Sequence, residues 1–263
     1  MSIAPALELW RSRALLSSLV LRELRLRYAG SSFGLLWAIV GPLLQLLILT
    51  TVFSLVLQIR LGSDPSVPFA VTLAWGFLPW LALQDGIGRA TTVLVEEGVL
   101  VRRMAFRPEI VLARPIFAAV VQEVIGLCLL VVLMPLLGAR PGLGILLCVL
   151  PLVVQVLLGL GIGWILGVLH VYFRDTAQIV GAGLQAWFYL TPIVYTLDIA
   201  PAGLRWILAL NPLCGVVESF RAFAVGGPVS WAGLAYSGVC AIALLALGAF
   251  LVERSRAEVP DLV

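Results

Sequence analysis

The sequence predicts an all-α membrane protein with six transmembrane helices, and three observations lead to that prediction. Of the 263 residues, 62% are hydrophobic and only 12% are charged, and the mean hydropathy is +1.10. A water-soluble protein of this size needs more polar residues to cover its surface. Long stretches with few charges recur along the chain, and arginines collect in alternate connections between them.

Six apolar stretches are long enough to cross the hydrocarbon core of a bilayer, which takes about 20 residues in a helix. Charged residues, prolines and glycines delimit these stretches. The predicted transmembrane helices are Phe33–Leu57, Val67–Ile87, Ile110–Leu137, Leu143–Val171, Ile179–Leu197 and Trp231–Val252.

The distribution of arginine predicts the orientation, because the cytoplasmic flanks of bacterial spans collect positive charge. All 17 basic residues are arginines, and 13 of them lie in the N-terminus, the 2–3 and 4–5 connections and the C-terminal tail. Both termini are therefore expected in the cytoplasm, with the protein in the bacterial inner membrane. The chain divides into a cytoplasmic N-terminus (1–32), a six-helix transmembrane domain (33–252) and a short cytoplasmic tail (253–263).

Two cytoplasmic segments are predicted to be structured. Between Leu15 and Arg27, leucines alternate with charged residues in a pattern closest to an amphipathic helix, which would lie in the membrane interface. The connection between the second and third spans (88–109) contains helix-forming residues and charges of both signs. It is either a solvated loop with a short helix or a coupling helix presented to a cytoplasmic partner.

The connection between the fifth and sixth spans is long and apolar. Two periodic pieces, Leu204–Leu210 and Val216–Val225, are separated by Asn211–Pro212, and neither is long enough to cross a bilayer. They are either interfacial helices or re-entrant half-spans, with Asn211–Pro212 at the deepest point of the dip. Glu218 and Arg221 are three residues apart and could pair on one helical face.

Two kinds of residue inside the predicted spans are candidates for a substrate path. An intramembrane acid such as Glu123 belongs either to a substrate or ion path or to a hydrogen-bonded packing contact. Aromatic residues cluster in the second and fifth spans, as interfacial anchors or as faces that stack on sugar rings. The aromatic candidates are Trp75, Phe77, Trp187, Phe188, Tyr189 and Tyr195.

Three segments of the chain resemble the membrane subunits of ABC transporters that export polysaccharides such as O antigen, capsule and teichoic acid. The segments occur in the expected order and cover nearly the whole chain. They are Leu21–Phe53, with Arg27–Tyr28, Gly30–Ser31, Gly34, Trp37 and Pro42, then Phe173–Tyr195, then Leu210–Phe223. The pair Glu96–Glu97 departs from the family, which more often has a neutral or small residue there.

The resemblance implies a half-transporter that forms a homodimer and binds two copies of a separate ATPase subunit. ATP and Mg would be bound by that ATPase, in agreement with the lack of a P-loop motif and of any lysine in this sequence. In the family, the N-terminal helix and the cytoplasmic loop dock onto the ATPase. The corresponding candidates are Arg22, Arg25, Glu96, Glu97, Arg102 and Arg103.

The resemblance also implies that the half-spans between the fifth and sixth helices cap the outer side of a channel. A glycan linked to an undecaprenyl-type lipid would pass through that channel between the two copies. The candidates for an outer gate are Asn211, Pro212, Glu218 and Arg221.

Two other functions compete with polysaccharide export. A drug or small-lipid exporter permease would share the fold. A membrane-embedded transferase acting on lipid carriers would need a converging acid and base or a nucleophile, and only His170 and the pair Arg174–Asp175 are candidates. We therefore expect a transport subunit without catalytic residues, metal or cofactor. A net charge of only +3 from dispersed arginines argues against a nucleic-acid partner.

Overall fold

The computed structural model describes residues 4–27, 29–31, 33–58, 67–98, 107–196 and 202–262. Within these ranges the chain is helical and has no β-strand. Four helical stretches in the described part of the chain are long and apolar enough to cross a membrane. They are Trp37–Val56, Pro108–Leu133, Leu143–Tyr172 and Trp231–Ser255.

The helices follow the predicted order. A π-helical turn (Thr51–Val56) extends α3, and a 3-10 segment (Leu143–Cys148) leads into α6. Over the described residues, the α-helices are α1 (Ala4–Arg11), α2 (Arg13–Arg27), α3 (Trp37–Thr50), α4 (Phe69–Glu96), α5 (Pro108–Leu133), α6 (Val149–Tyr172), α7 (Thr176–Tyr189), α8 (Ala202–Ala209), α9 (Pro212–Val225), α10 (Trp231–Ser255) and α11 (Val259–Leu262).

Helix α4 is the centre of the bundle, and its position explains why its sequence is less apolar than that of a lipid-facing span. It packs against α3, α5, α6, α7 and α9, and every residue from Val71 to Trp80 is buried. A helix surrounded by protein can carry buried polar groups such as Thr72 and Thr91. It continues to Glu96, past the predicted end at Ile87, so part of the predicted 88–109 connection is helix.

Helix α7 is shorter than the predicted fifth span. It has 14 residues, which is about 21 Å at 1.5 Å per residue and less than the thickness of the hydrocarbon core. The chain leaves the helix after Tyr189 and forms turns up to Tyr195, because Pro192 has no backbone N–H with which to continue the ladder. Thr191–Val194 are nevertheless buried, so their backbone carbonyls need protein donors.

Ion pairs tie α2 to one end of the bundle, here named the charged end. Arg114 of α5 lies 3.1 Å from Glu23 of α2 and 2.7 Å from Glu97, which follows α4. The fully buried Glu109 lies 2.6 Å from Arg256. These contacts hold both chain ends against α4 and α5.

The outer surface of α2 mixes exposed leucines with arginines, whereas Leu16 and Val20 are buried in the core. Leu21 and Leu26 are more than half exposed and stand beside Arg22 and Arg25. Apolar and charged residues are therefore not separated onto two faces of α2, and the predicted amphipathic pattern is not observed in this helix. An interfacial location stays a prediction.

The opposite end, here named the hairpin end, is formed by α8 and α9. The predicted break is confirmed, since α9 begins at Pro212 and Asn211 is its N-cap, with the Asn211 side chain accepting from the backbone N–H of Leu213. Helix α9 is buried along most of its length and packs against α10, α4 and the Leu143–Cys148 segment. It is therefore inserted into the bundle and does not lie on its surface.

Very close packing fixes α9 against α10. A Cβ atom added at Gly215 would lie only 2.3 Å from the carbonyl oxygen of Gly233, closer than any real carbon contact. The hydroxyl of Tyr236 donates to the carbonyl of Leu210, just before the break. The position of α9 is thus determined by backbone contact with α10 as well as by side chains.

Candidate functional site

A groove of about 730 Å³ lies between α3, α4 and α7. Its volume is in the range of pockets that hold drug-sized ligands, or a short stretch of a polymer. One end is charged and the other is aromatic. The residues that line it are Gln45, Ile48, Leu49, Phe77, Trp80, Leu81, Gln84, Asp85, Gly88, Arg89, Gly181, Leu184, Gln185, Phe188 and Tyr189.

The aromatic wall of the groove is made by α4 and α7 together. The ring of Phe188 lies 6.2 Å from that of Phe77 and 5.8 Å from that of Trp80, measured between centroids. Tyr189 packs edge-on against Phe188 at 5.1 Å and is 60% exposed. These ring contacts hold the cluster in a fixed orientation. Phe77 and Trp80 are buried in it, so Phe188 and Tyr189 are the rings that a ligand could contact. Three of the aromatic candidates, Phe77, Phe188 and Tyr189, thus line one groove, and their role in a substrate path stays a prediction.

Three glutamines that the sequence analysis did not select also face the groove. Gln45, Gln84 and Gln185 come from α3, α4 and α7, one from each helix. No partner for any of the three amides is found among the described residues. An amide in a membrane-embedded groove is costly unless it has a partner, so the three amides are candidate ligand contacts.

The charged end of the groove is neutralised by internal ion pairs. Asp85 lies 2.9 Å from Arg89, one helical turn further along α4, and 2.8 Å from Arg27 of α2. Arg89 also approaches Glu23 at 3.8 Å. Charges of both signs therefore alternate across the mouth of the groove.

The other aromatic candidates have structural contacts. Trp187 packs on Trp80, with centroids 5.9 Å apart, and Tyr195 donates its hydroxyl to the carbonyl of Tyr189 at 3.0 Å. Trp75 is fully buried and is not part of the groove lining. Trp187 and Tyr195 therefore support the groove from behind.

Glu123 lies outside the groove. Its carboxyl group accepts a 2.6 Å hydrogen bond from Nε2 of Gln155, which also donates to the carbonyl of Pro79 at 3.1 Å. Glu123 lines a second cavity of about 270 Å³ between α3, α4 and α5. These bonds link α5, α6 and α4, as the packing alternative for Glu123 requires.

The docking candidates differ in their surroundings. Arg22, Arg25 and Glu96 are exposed at the charged end, whereas Glu97 is engaged by Arg114. The remaining two candidates, Arg102 and Arg103, lie outside the described residues. A docking role for the six stays a prediction.

Asn211 joins the hairpin end to α7. Its side-chain oxygen accepts from Nε1 of Trp187 at 2.8 Å and from the N–H of Leu213 at 3.0 Å. Its side-chain nitrogen donates to the carbonyl of Leu190 at 3.1 Å and to the hydroxyl of Thr191 at 2.9 Å. The amide therefore has a partner in all four directions.

Arg221 makes a second junction at the same place. Glu218, with which it could pair on one helical face, is an electrostatic neighbour of Arg221, and the guanidinium also donates to three backbone carbonyls. It reaches Thr72 on α4 at 3.0 Å, Pro192 at 2.6 Å, and Ile193. The carbonyls of Pro192 and Ile193 belong to the turns that follow α7, where no helical N–H group reaches them.

Known proteins resemble this chain over most of its length. Residues 14–224 match the family described as ABC-2 type transporter. The chain is 30% identical over 217 residues to the O-antigen export system permease protein RfbA of Myxococcus xanthus, with 82% of each chain covered. A protein of the same name from Klebsiella pneumoniae is 27% identical over 215 residues, with 80% of each covered.

A further relative is the polysialic acid transport protein KpsM of Escherichia coli. It is 25% identical over 243 residues, which cover 92% of this chain and 93% of the relative. Since the family match extends over far more than half of a helical chain with several membrane-length helices, this protein belongs to the ABC-2 type transporter family.

Proposed function

We propose that this protein is the membrane-spanning permease subunit of an ATP-driven exporter that moves a lipid-linked, undecaprenyl-type polysaccharide such as O antigen across the inner membrane. The observation that carries the proposal is the groove, where aromatic faces and amides stand side by side. A pyranose ring has apolar C–H faces that pack on aromatic rings and hydroxyls that bind amides. The names of the relatives support a polysaccharide substrate.

The permease acts as a homodimer in this proposal. No residue of α3, all of which the structure describes, is buried within the chain. Helices α3 and α7 form two of the walls of the groove. A second copy related by two-fold symmetry would cover this apolar side and close two grooves into one channel.

The proposed topology has six crossings with both termini in the cytoplasm. Helix α4 crosses at the centre of the bundle, and α7 crosses together with the buried turns that follow it. Single cysteines at exposed Pro228 and Ala257 test this topology in a chain whose four native cysteines are replaced. A membrane-impermeant thiol reagent should label Pro228→Cys only from the periplasmic side and Ala257→Cys only from the cytoplasmic side. The reverse pattern would overturn the orientation.

The charged end is the proposed docking surface for the ATPase, which binds and hydrolyses ATP. Exposed Arg22 and Arg25 stand there as cations that an acidic protein surface could engage. The double variant Arg22→Glu, Arg25→Glu should lose the ATPase during affinity purification. Arg140→Glu, an equal change at an exposed arginine in the α5–α6 connection, should retain it. Equal retention by both variants would remove these arginines from the docking surface.

Export by cells that lack their own permease tests the function directly. Replacing Phe188 and Tyr189 by alanine removes two rings, each worth about 0.5–1.5 kcal/mol in aromatic packing, and should lower glycan export roughly tenfold. Basal ATP hydrolysis of the complex should fall less. Phe250→Ala removes a ring that is 53% exposed on α10 and serves as the control.

The competing function has a distinct outcome in the same cells. Transport of a drug-like or small-lipid substrate by a complex that leaves the glycan inside would favour the other exporter class.

A further inference from the structure

The polar groups of the groove indicate the chemistry of the polymer it carries, an inference that rests on the proposed function. Gln45, Gln84 and Gln185 line the groove, and each comes from a different helix. An amide presents two N–H donors and one carbonyl acceptor. A sugar hydroxyl also donates and accepts, so it matches either end of the amide. A carboxylate only accepts, so it can use the amide N–H groups but not the amide oxygens, and a neutral amide does not balance its charge.

The charges at the groove leave no cation available for an anionic sugar. Among the described lining residues, only Asp85 and Arg89 are charged. Arg89 is engaged with the carboxylates of Asp85 and Glu23, and Asp85 is itself an anion. A carboxylate entering the groove would lose hydration, and the described lining offers it no cation that is not already engaged with a carboxylate of the protein, so its burial there is costly.

The aromatic wall adds contact area without adding charge. Phe77, Trp80 and Phe188 form one continuous cluster, with neighbouring centroids about 6 Å apart. Phe77 and Trp80 are buried in this cluster and support Phe188 and the exposed Tyr189, which a ligand can contact. The faces of these two rings can pack against the C–H side of an uncharged pyranose, but they give no compensation to an anion, because the face of an aromatic ring is the negative end of its quadrupole.

We infer that the groove selects a lipid-linked polymer of uncharged, hydroxyl-rich sugars over a polymer that carries a carboxylate in each repeat.

The experiment compares two probes in proteoliposomes that contain the permease and its ATPase. The first is an undecaprenyl-pyrophosphate-linked mannose polymer. The second is the same polymer with the C6 hydroxymethyl group of one mannose per repeat replaced by a carboxylate. ATP-dependent translocation is measured for each. The wild-type protein should move the uncharged polymer at least about tenfold faster, the factor expected when one charged group is left unpaired.

Variants at Gln185, exposed on α7, assign this preference to the groove. Gln185→Arg supplies a cation and should shift the ratio of the two rates toward the carboxylated polymer by about tenfold. Gln185→Glu removes the same amide but supplies an anion, and it should leave the preference for the uncharged polymer intact or increase it. Ala186→Arg places the same cation on the same helix outside the groove lining, and its rate ratio should equal that of the wild type.

The outcomes separate this inference from the proposed function. Equal rates for the two polymers in the wild type would overturn the selection and leave polysaccharide export standing. An equal change of ratio in Gln185→Arg and Ala186→Arg would overturn the groove as the selecting site. Failure to move either polymer would overturn the proposed function and the inference together.

Discussion

Arg221 is the residue whose removal should most clearly weaken the hairpin end. Its guanidinium is buried and donates to the carbonyls of Thr72, Pro192 and Ile193, so it connects α9 to α4 and to the turn after α7. We consider Arg221→Met, which keeps an unbranched apolar side chain and removes every donor. No other donor to the two turn carbonyls is present among the described hydrogen bonds.

The magnitude follows from those two carbonyls. The carbonyl of Thr72 lies within α4 and keeps its place in the helical ladder, whereas Pro192 and Ile193 are outside any helix. Each buried carbonyl left without a donor costs about 1–3 kcal/mol. The variant should therefore lose about 2–4 kcal/mol of stability, after allowance for the buried charge that is also removed. For a chain of this size, that corresponds to a melting temperature lower by about 5–10 °C.

Thermal unfolding in detergent measures this change. A thiol-reactive dye reports when the buried Cys148 and Cys214 become accessible, in a background where the exposed Cys128 is serine. Cys214 lies in α9 itself, so the dye reports the unfolding of the helix that Arg221 connects to α4.

Two glycine variants test whether Arg221 is held where the structure has it. A Cβ at Gly76 would lie 2.7 Å from Nη2 of Arg221, so Gly76→Ala should also destabilise. Gly41→Ala is the matched control, because it lies in a membrane helix with nothing within 4 Å of the added atom. A melting temperature of Arg221→Met equal to that of the wild type would refute this role of Arg221. So would a Gly76→Ala variant that lowers the melting temperature no more than Gly41→Ala does.

Three further predictions concern the other buried polar contacts. Glu123→Gln keeps an acceptor for Gln155 and should change stability by less than about 1 kcal/mol, with export retained; loss of export from an intact complex would show that the acid itself is needed. Arg114→Met leaves the carboxylates of Glu23 and Glu97 without the cation they share, and it should lower the free energy of unfolding by about 3 kcal/mol. The loss should be larger at low salt than at high salt, which melting at both ionic strengths measures. Asn211→Ala removes the N-cap of α9 and the partner of Trp187, and it should lower the melting temperature and change the Trp fluorescence; an unchanged spectrum would contradict that contact.

The all-helical class and the approximate limits of the four membrane-length helices in the described chain were predictable, because hydrophobic length and charge are properties of each segment alone. The central position of helix α4 could not be predicted in this way. Its run of buried residues from Val71 to Trp80 includes threonine, glycine, proline and tryptophan, since the helix contacts protein on all sides. By apolarity alone it falls below the other spans. Its central position depends on neighbours that are distant in sequence.

The groove was only half predictable for a related reason. Aromatic clusters are local in sequence, so Phe188 and Tyr189 could be selected together. The glutamines are 39 and 101 residues apart, from Gln45 to Gln84 and from Gln84 to Gln185. Nothing in the chain relates them until three helices pack, and each alone resembles an ordinary polar position on a helix.

The junction between α7 and α9 could not be read from either segment. Asn-Pro predicts the start of a helix, and Pro192 predicts the end of one, but neither shows why the chain can unwind inside a bundle. Helix α7 can end early because Arg221 and Asn211 supply donors to the carbonyls that it leaves open. Helix α9 can bury those two polar side chains because the end of α7 supplies the acceptors. Each segment supplies the hydrogen-bond partners of the other, so the two are stable only together. A substitution of Arg221 or Asn211 should therefore destabilise both α7 and α9.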